Sequence, residues 1–388
     1  MHLNRTFVHF IFCLLICSSS VNAQEFERYK VLLDTTIASK QLGYDRPITI
    51  TVPFEWQQDT DKDFPVIVVF DRQNPRSHTY ILNTIDYLTS NEQMPSCIII
   101  SIASDEEHRY TETLHRASDA NGMAEANEAF LFDELLSLAE KRFKANKFRL
   151  FIGHSRYGYF TTGLLHSRTE QLNGVISLSP FFSEKNVSLT DSMAIIIGEK
   201  HPSTLYYRFG IGNDYPEDYK AMESVIGPIK HKNLNFDGQL FKDADHNVTP
   251  GLIIAPALYD VFEFWYSQQL AYSRRAANGL AELKELEATI AAHYGKPLCF
   301  SLGILNGKGW EYFNNSEYDK AIEAWNILLD NYPNFSEAYL GIIEARMHLS
   351  ENISALAVKF KKSLANSSVY SEAEKSEFLA EFDRLVKP

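Results

Sequence analysis

The sequence predicts an α/β fold, with a mostly parallel sheet and helices on both of its faces, followed by an all-α region. Three observations predict it. Up to about residue 265, runs rich in β-branched residues alternate with segments of helical period. Several of these runs are continuously apolar, as in strands that are buried on both faces. Beyond residue 265 the strand patterns cease and helix-forming residues dominate.

The length and composition of the chain allow a large hydrophobic core, and its net charge argues against some classes of binding partner. The chain has 388 residues, of which 45% are hydrophobic, and its formal net charge is −13. This length and composition suit one large or two ordinary globular domains. The negative charge argues against a nucleic-acid partner or a general affinity for anionic membranes.

The first 23 residues have the pattern of a secretory signal peptide. Arg5 precedes the apolar stretch 7–17, and Ala23 ends a segment of small residues that resembles a cleavage site. The sequence therefore predicts a secreted or periplasmic protein without an integral membrane segment after cleavage. A membrane anchor is the alternative, but the stretch is short for a span. Lipidation at Cys17 is disfavoured because bulky Ile16 precedes it.

Eight strand candidates follow in the mature chain. In order they are KVLLDTTI, ITITVPF, PVIVVFD, CIIISIA, FRLFIG, GVISLSP, LYYRFGIG and NLNFDGQLF. ITITVPF alternates with period two, whereas PVIVVFD and CIIISIA are continuous apolar runs. Helical patterns lie between the later strands, as in SHTYILNTIDYLTS, NEAFLFDELLSLAEKRF and YGYFTTGLLHS. Strands that alternate with helices favour parallel pairing.

The C-terminal region contains a helix–turn–helix pattern that resembles a tetratricopeptide repeat. The matching positions are Leu305, Gly309, Tyr312, Tyr318, Ala321, Trp325, Leu328 and Pro333. The small residues Gly309 and Ala321 would let the two helices approach closely. A second, degenerate repeat begins near residue 336, and a plain helical hairpin is the alternative. We expect a signal peptide at 1–23, a catalytic domain at 24–268 and a helical domain at 269–388.

Ser155 is the candidate nucleophile. It lies between the strand FRLFIG and the helix YGYFTTGLLHS, the context of a nucleophile turn that presents a serine hydroxyl above a sheet. Gly153 supplies the small residue before the serine. Tyr157 stands where a second glycine is usual, and we expect Gly158 to take over the close packing while the Tyr157 side chain turns aside.

A serine nucleophile needs a base and an acid, and both have candidates in the expected order. His246 follows the last strand candidate and precedes a helical segment. Asp214 follows the strand LYYRFGIG, and Glu217 is the alternative acid. The order Ser155, Asp214, His246 is that of an α/β-hydrolase triad. His154 is too close to Ser155 along the chain to swing onto it.

Backbone N–H groups are the candidate donors to a developing oxyanion. The N–H of Arg156 starts the helix after the nucleophile, and a second N–H should follow the strand PVIVVFD, at Arg72 or Gln73. No cofactor is expected, and no Cys/His spacing suggests a metal site. Cys97 and Cys299 are too far apart in sequence to indicate a disulfide framework, and Cys97 is expected to be a buried thiol.

Taken in order, these stretches resemble the esterase D-type branch of the α/β hydrolases, which includes siderophore, feruloyl and acetyl esterases. The matching stretches are QLGYDRPITITVPFEW, FPVIVVFDRQN, MPSCIIISIASDEEHRYTET, FIGHSRYGYFTTGLL, GVISLSPFF and DADHNVTPGLIIAPALYDVFEFW. The similarity spans roughly residues 29–266. Arg72 and Tyr157 both stand where the family has glycine.

The resemblance implies a serine ester hydrolase that acts on a small-molecule ester through an acyl-enzyme. It also implies that Arg109 lies near the site, where it is a candidate substrate-binding residue together with Tyr157; a structural ion pair is the alternative for Arg109. The two departures leave a second hypothesis, an inert hydrolase fold that binds a protein partner through the helical repeats. A peptidase or amidase on the same fold is a third.

Overall fold

The computed structural model describes residues 26, 28–57, 61–228, 233–274, 279–367 and 370–387. The predicted signal peptide, with its alternative lipidation site at Cys17, lies outside the described residues. Cys97 and Cys299 are free thiols, and Cys97 is fully buried as expected. In the described part of the chain, no helix combines the length and the apolar character that crossing a bilayer requires.

The centre of the fold is an eight-stranded sheet. Its strands are β1 Tyr29–Ala38, β2 Asp45–Pro53, β3 Phe64–Val69, β4 Ile98–Ile102, β5 Ala145–His154, β6 Gly174–Leu178, β9 Leu205–Ile211 and β10 Leu234–Leu240. The spatial order is β1-β2-β4-β3-β5-β6-β9-β10. In this spatial order, every pair of neighbours from β4 through β3, β5, β6 and β9 to β10 is parallel, whereas β2 pairs antiparallel with both β1 and β4. A small hairpin, β7 Ser183–Glu184 and β8 Val187–Ser188, stands apart from this sheet.

Helices connect the strands and cover both faces. They are α1 Pro75–Ser90, α2 Glu106–Thr111, α3 Ala124–Ala129, α4 Leu136–Arg142, α5 Arg156–Ser167, α6 Leu189–Ile197, α7 Pro216–Ile226 and α8 Thr249–Arg274. A π-helical stretch, Phe130–Leu135, joins α3 to α4. The core beside one face includes apolar side chains of α1 and α8. The core beside the other face includes those of α3 to α7. The mostly parallel sheet with helices on both faces is therefore confirmed.

The C-terminal region is a run of packed helices. They are α9 Leu280–Tyr294, α10 Leu302–Asn314, α11 Tyr318–Asn331, α12 Ser336–His348, α13 Ser354–Asn366 and α14 Glu372–Leu385. At Gly309 a Cβ atom would lie 2.3 Å from Nε1 of Trp325, so only glycine permits this approach of α10 to α11. The expected domain boundary after residue 268 falls inside α8. One hydrophobic cluster joins the sheet face to the C-terminal helices through Trp265 and Trp325.

Candidate active site

Ser155 occupies the single-residue turn between β5 and α5. Its backbone has φ 58° and ψ −118°, a strained conformation for a residue with a side chain. The Ser155 N–H donates to the Leu178 carbonyl of β6 at 2.8 Å, which fixes the turn to the sheet. Gly153 is required beneath it, because a Cβ atom there would lie 2.3 Å from the Tyr157 carbonyl oxygen. This geometry presents the serine hydroxyl above the carboxyl edge of the sheet.

Gly158, not residue 157, makes the close approach that a second glycine usually makes. A Cβ atom at position 158 would lie 3.2 Å from both the Gly153 carbonyl oxygen and Cβ of Pro180. The turn therefore keeps its tight packing although residue 157 is a tyrosine.

Tyr157 is fully buried, so the expectation that it contacts substrate is wrong. Its ring stacks on Phe70 with centroids 4.3 Å apart. Its hydroxyl accepts a hydrogen bond from Arg46 at 2.7 Å, lies 2.6 Å from Oγ of Ser104 and donates to the Glu112 carboxylate. The side chain points away from the Ser155 hydroxyl, because burial beside Phe70 and these polar partners holds it inside the protein.

Asp214 and His246 meet at the ends of β9 and β10. Nδ1 of His246 donates to Oδ2 of Asp214 at 2.5 Å, and both side chains are partly exposed. Glu217 is turned to solvent, with 80% of its side chain exposed, and it pairs with Lys220 on the same helix. Asp214 therefore contacts the imidazole, and the alternative acid Glu217 does not.

His154 supports His246 from beneath. Nε2 of His154 donates to the backbone carbonyl of His246 at 3.1 Å, and the two rings lie 4.7 Å apart. Burial, together with the adjacent His246, lowers the pKa of His154 from 6.5 to about 4. A neutral His154 can hold the His246 backbone without adding a second positive charge beside it.

Ser155 and His246 line one cavity of about 300 Å³, together with Asp71, Gln73 and Arg109. The Ser155 hydroxyl has no hydrogen-bond partner among the described residues, and Ser155 is partly exposed to solvent. Helix α5 begins at the residue after the serine, so its N-terminal N–H groups, which lack partners within the helix, lie next to Ser155 at the edge of this cavity. The arrangement can bring a nucleophile, a base and a helix N-terminus to one small substrate group.

Arg72 cannot supply the second oxyanion donor, so that expectation is wrong. The Arg72 N–H donates to the Ile102 carbonyl at 3.0 Å, because the chain still follows the sheet at this residue. Its guanidinium turns outward to Asp34 at 2.7 Å. The next residue, Gln73, lines the cavity, and its N–H has no partner among the described residues. Gln73 and Arg156 are thus the two residues whose N–H groups can serve an oxyanion.

Arg109 lines the same cavity, but its charge is already paired. Its Nε and Nη2 donate to the two carboxylate oxygens of Asp71, each at 2.7 Å. The hydrogen bonds to Asp71 raise the pKa of Arg109 above its ordinary value. The structural ion pair weighed for this residue is present, and 27% of the Arg109 side chain remains exposed.

The Arg156 side chain points away from the nucleophile. Its Nε donates to Oγ1 of Thr113 at 3.0 Å, and Nη1 pairs with Glu184 at 3.1 Å. The guanidinium also lies 4.0 Å from the ring centroid of Tyr110. These contacts hold the Arg156 side chain away from Ser155, so a role of Arg156 in chemistry would fall to its backbone N–H.

A larger cavity of about 860 Å³ adjoins the small one. It lies between the first turns of α1 and α8, and it shares Asn74, His154 and Asn247 with the smaller cavity. Val248 and Arg76 also line it. The space is large enough for a substrate group of drug-like size.

Sequence reasoning did not single out Asp71 or the cluster around Tyr157. Asp71 lies two residues after the buried strand β3, where polar site residues collect in parallel sheets, so a signal was present. The partners of Tyr157 are distant in sequence, as Arg46 is 111 residues away. Across the described residues, no group of three or more His, Cys, Asp and Glu side chains is arranged to hold a metal ion.

Comparison with known proteins agrees with this architecture. Residues 39–228 match the model of the Esterase family, described as "Putative esterase". No curated protein sequence matches the chain.

Solved structures share the fold at low sequence identity. An uncharacterised protein from Capnocytophaga ochracea is 14% identical, with a TM-score of 0.58 over 92% of this chain and 100% of that chain. An IroE-like serine hydrolase from Shewanella oneidensis is 14% identical, with a TM-score of 0.61 over 77% and 99%. The BES protein from Bacillus cereus is 18% identical, with a TM-score of 0.51 over 63% and 98%. The chain therefore has the α/β-hydrolase fold, with stacked helices after it.

Proposed function

We propose that this α/β hydrolase, whose residues 39–228 match an esterase family, is a serine carboxylic-ester hydrolase with the triad Ser155, His246 and Asp214. One observation carries the proposal. Ser155, on a strained turn, shares a cavity of about 300 Å³ with His246, whose other ring nitrogen donates to Asp214 at 2.5 Å. A serine exposed at a strained turn beside an oriented imidazole is the arrangement that activates a hydroxyl.

The reaction begins with attack of the Ser155 hydroxyl oxygen on the ester carbonyl carbon. Nε2 of His246 takes the hydroxyl proton, while Nδ1–H stays bonded to Asp214 and the carboxylate stabilises the imidazolium. The carbonyl oxygen becomes an oxyanion, and the N–H groups of Arg156 and Gln73 donate to it. His246 then returns its proton to the leaving alcohol, which leaves an acyl group on Ser155.

Water completes the cycle through the same groups. His246 removes a proton from a water molecule, and the hydroxide oxygen attacks the acyl carbon. A second oxyanion forms in the same position and collapses, and the proton returns to the oxygen of Ser155. The products are a carboxylic acid and an alcohol, so the overall reaction consumes one ester and one water.

The adjoining cavity supports an ester with one bulky side. The space around Ser155 admits a small group, whereas the neighbouring cavity of about 860 Å³ admits a much larger one. Because Arg109 is already paired with Asp71, the substrate-binding role that the resemblance implies for Arg109 is not part of the proposal. The pattern of the first 23 residues adds a secreted or periplasmic location, and the helical tail remains a candidate surface for a protein partner.

Ester cleavage by purified protein tests the proposal. The wild type should hydrolyse p-nitrophenyl acetate and react with a fluorophosphonate probe, and Ser155→Ala should do neither while its circular dichroism is unchanged. A peptide substrate panel run beside the ester separates an amidase from an esterase. Absence of both hydrolysis and labelling in the wild type would favour the inert binding protein instead.

A further inference from the structure

A buried polar cluster lies beneath the nucleophile turn, and the proposed reaction does not use it. It consists of Arg46, Ser104, Glu112 and Tyr157, which we call the Tyr157 cluster. Arg46 and Glu112 form an ion pair with both side chains almost completely buried. Burial alone raises the pKa of Glu112, but Arg46 and the hydroxyl donors outweigh it and hold the pKa below its ordinary value. The cluster is therefore a charged, hydrogen-bonded unit, which holds its members in defined positions.

One side of the cluster leads to the first oxyanion donor. Tyr157 is the residue after Arg156, in the first turn of α5. Its ring lies between Phe70, with centroids 4.3 Å apart, and the guanidinium of Arg109, 5.7 Å from the ring centroid. The hydroxyl is held by Arg46 at 2.7 Å. Because the ring and the hydroxyl are both fixed, Tyr157 anchors the first turn of α5 one residue after Arg156, whose N–H lies in the peptide between residues 155 and 156.

The other side of the cluster leads to the second oxyanion donor. The N–H of Ser104 donates to Oε1 of Gln73 at 2.9 Å. The Gln73 amide in turn donates to Oδ1 of Asp71 at 2.8 Å, and Arg109 holds Asp71 with two hydrogen bonds. Both the oxygen and the nitrogen of the Gln73 side-chain amide are thus held, while its backbone N–H has no partner among the described residues and the residue lines the cavity.

We infer that Tyr157 is a positioning residue for the oxyanion hole, since it couples the backbone N–H groups of Arg156 and Gln73 through Ser104 and Arg109. This inference rests on the proposed esterase function. Tyr157 touches no reacting atom, so its effect passes through the two N–H groups alone. One oxyanion donor contributes about 100- to 1,000-fold to kcat, and a displacement near 1 Å forfeits much of that contribution.

The matched pair Tyr157→Phe and Tyr159→Phe tests the inference. Both tyrosines are fully buried on α5, but the Tyr159 hydroxyl has no hydrogen-bond partner within the described part of the chain. Tyr157→Phe keeps the ring and removes the hydroxyl contacts to the cluster. We expect kcat for p-nitrophenyl acetate to fall by about 10- to 100-fold with KM unchanged in Tyr157→Phe. Tyr159→Phe should match the wild type.

The affinity of a transition-state analogue distinguishes a specific effect on the oxyanion donors from a general loss of order in the protein. A trifluoromethyl ketone forms a tetrahedral oxyanion on a serine, so its affinity should fall by the same factor as kcat in Tyr157→Phe. Ser104→Ala keeps the backbone N–H that donates to Gln73 but removes the hydroxyl that contacts Tyr157, so it breaks the connection between Tyr157 and Gln73. It should produce a smaller change of the same kind, and it tests the inference if Tyr157→Phe does not fold.

The possible outcomes distinguish the positioning role of Tyr157 from the esterase function on which it rests. If the wild type hydrolyses the ester and Tyr157→Phe equals Tyr159→Phe, the inference fails while the esterase function stands. A rise in KM at constant kcat would also overturn it. If the wild type itself neither hydrolyses nor is labelled, both the function and the inference fall.

Discussion

Replacement of Tyr157 by glycine gives the nucleophile turn the residue that this position usually carries. If the tyrosine merely obstructed the turn, the change would raise the esterase rate. The structure predicts the opposite, because the side chain is completely buried, stacks on Phe70 and bonds to Arg46, Ser104 and Glu112. Tyr157→Gly should therefore destabilise the protein and yield no gain in rate.

The size of the effect follows from what the substitution removes. Truncation of a buried aromatic side chain costs about 3–5 kcal/mol. Loss of hydrogen bonds to charged partners adds about 1.5–3 kcal/mol, since Arg46 and Glu112 remain buried with fewer partners. The total, about 4.5–8 kcal/mol, is comparable to the whole stability of a typical domain. Tyr157→Phe retains the ring and should lose only the hydrogen-bond part.

Urea unfolding followed by circular dichroism measures both variants beside the wild type. We expect the free energy of unfolding to fall in the order wild type, Tyr157→Phe, Tyr157→Gly, with the glycine variant recovered in low yield. The reasoning is refuted if Tyr157→Gly unfolds within about 1 kcal/mol of the wild type, below the cost of losing a buried aromatic ring, and hydrolyses esters faster.

Three further outcomes follow from the site. Asp214→Asn should lower kcat by on the order of 1,000-fold or more, and Glu217→Gln should leave it unchanged; equal effects in steady-state assays would argue against Asp214 as the acid. Val248→Trp narrows the larger cavity, so kcat/KM for bulky esters should fall about tenfold while kcat/KM for acetate esters stays unchanged. An equal fall in kcat/KM for both classes of ester would show that the cavity does not select substrates by size. Burial lowers the pKa of His154 from 6.5 in the unfolded chain to about 4 in the folded protein. As the pH falls from about 6.5 to about 4, the unfolded chain therefore takes up a proton on this imidazole before the folded protein does, and the free energy of unfolding decreases. Urea unfolding at pH 7 and pH 4.5 should show a smaller loss in His154→Gln than in the wild type, and an equal loss would contradict a buried neutral imidazole.

The fold was predictable because its signals are local. Runs such as PVIVVFD and CIIISIA are apolar on both faces, and the structure places them as β3 and β4 in the interior of the sheet. The tight turn at Ser155 was also predictable, because the sequence places a strand that ends in Gly153 and His154 before it and a helix after it. Asp214 and His246 follow strands whose carboxyl ends share one edge of a parallel sheet, so their contact follows from the topology.

The details that the sequence could not supply depend on tertiary register. Whether Arg72 or Gln73 offers a free N–H is decided by where pairing with the neighbouring strand ends, and the Arg72 N–H is still bonded to Ile102. Whether Tyr157 faces substrate or the interior depends on Arg46, which lies on the antiparallel strand β2. No local pattern records either arrangement.

Covalent labelling of Ser155 tests the central claim most directly. Intact-mass spectrometry of the wild type after treatment with a fluorophosphonate should show a single adduct, located on Ser155 by peptide mapping, with ester hydrolysis lost in proportion to labelling. Ser155→Ala should gain no mass and should not hydrolyse the ester. The claim is contradicted if the folded wild type remains unlabelled, or if Ser155→Ala retains the wild-type rate.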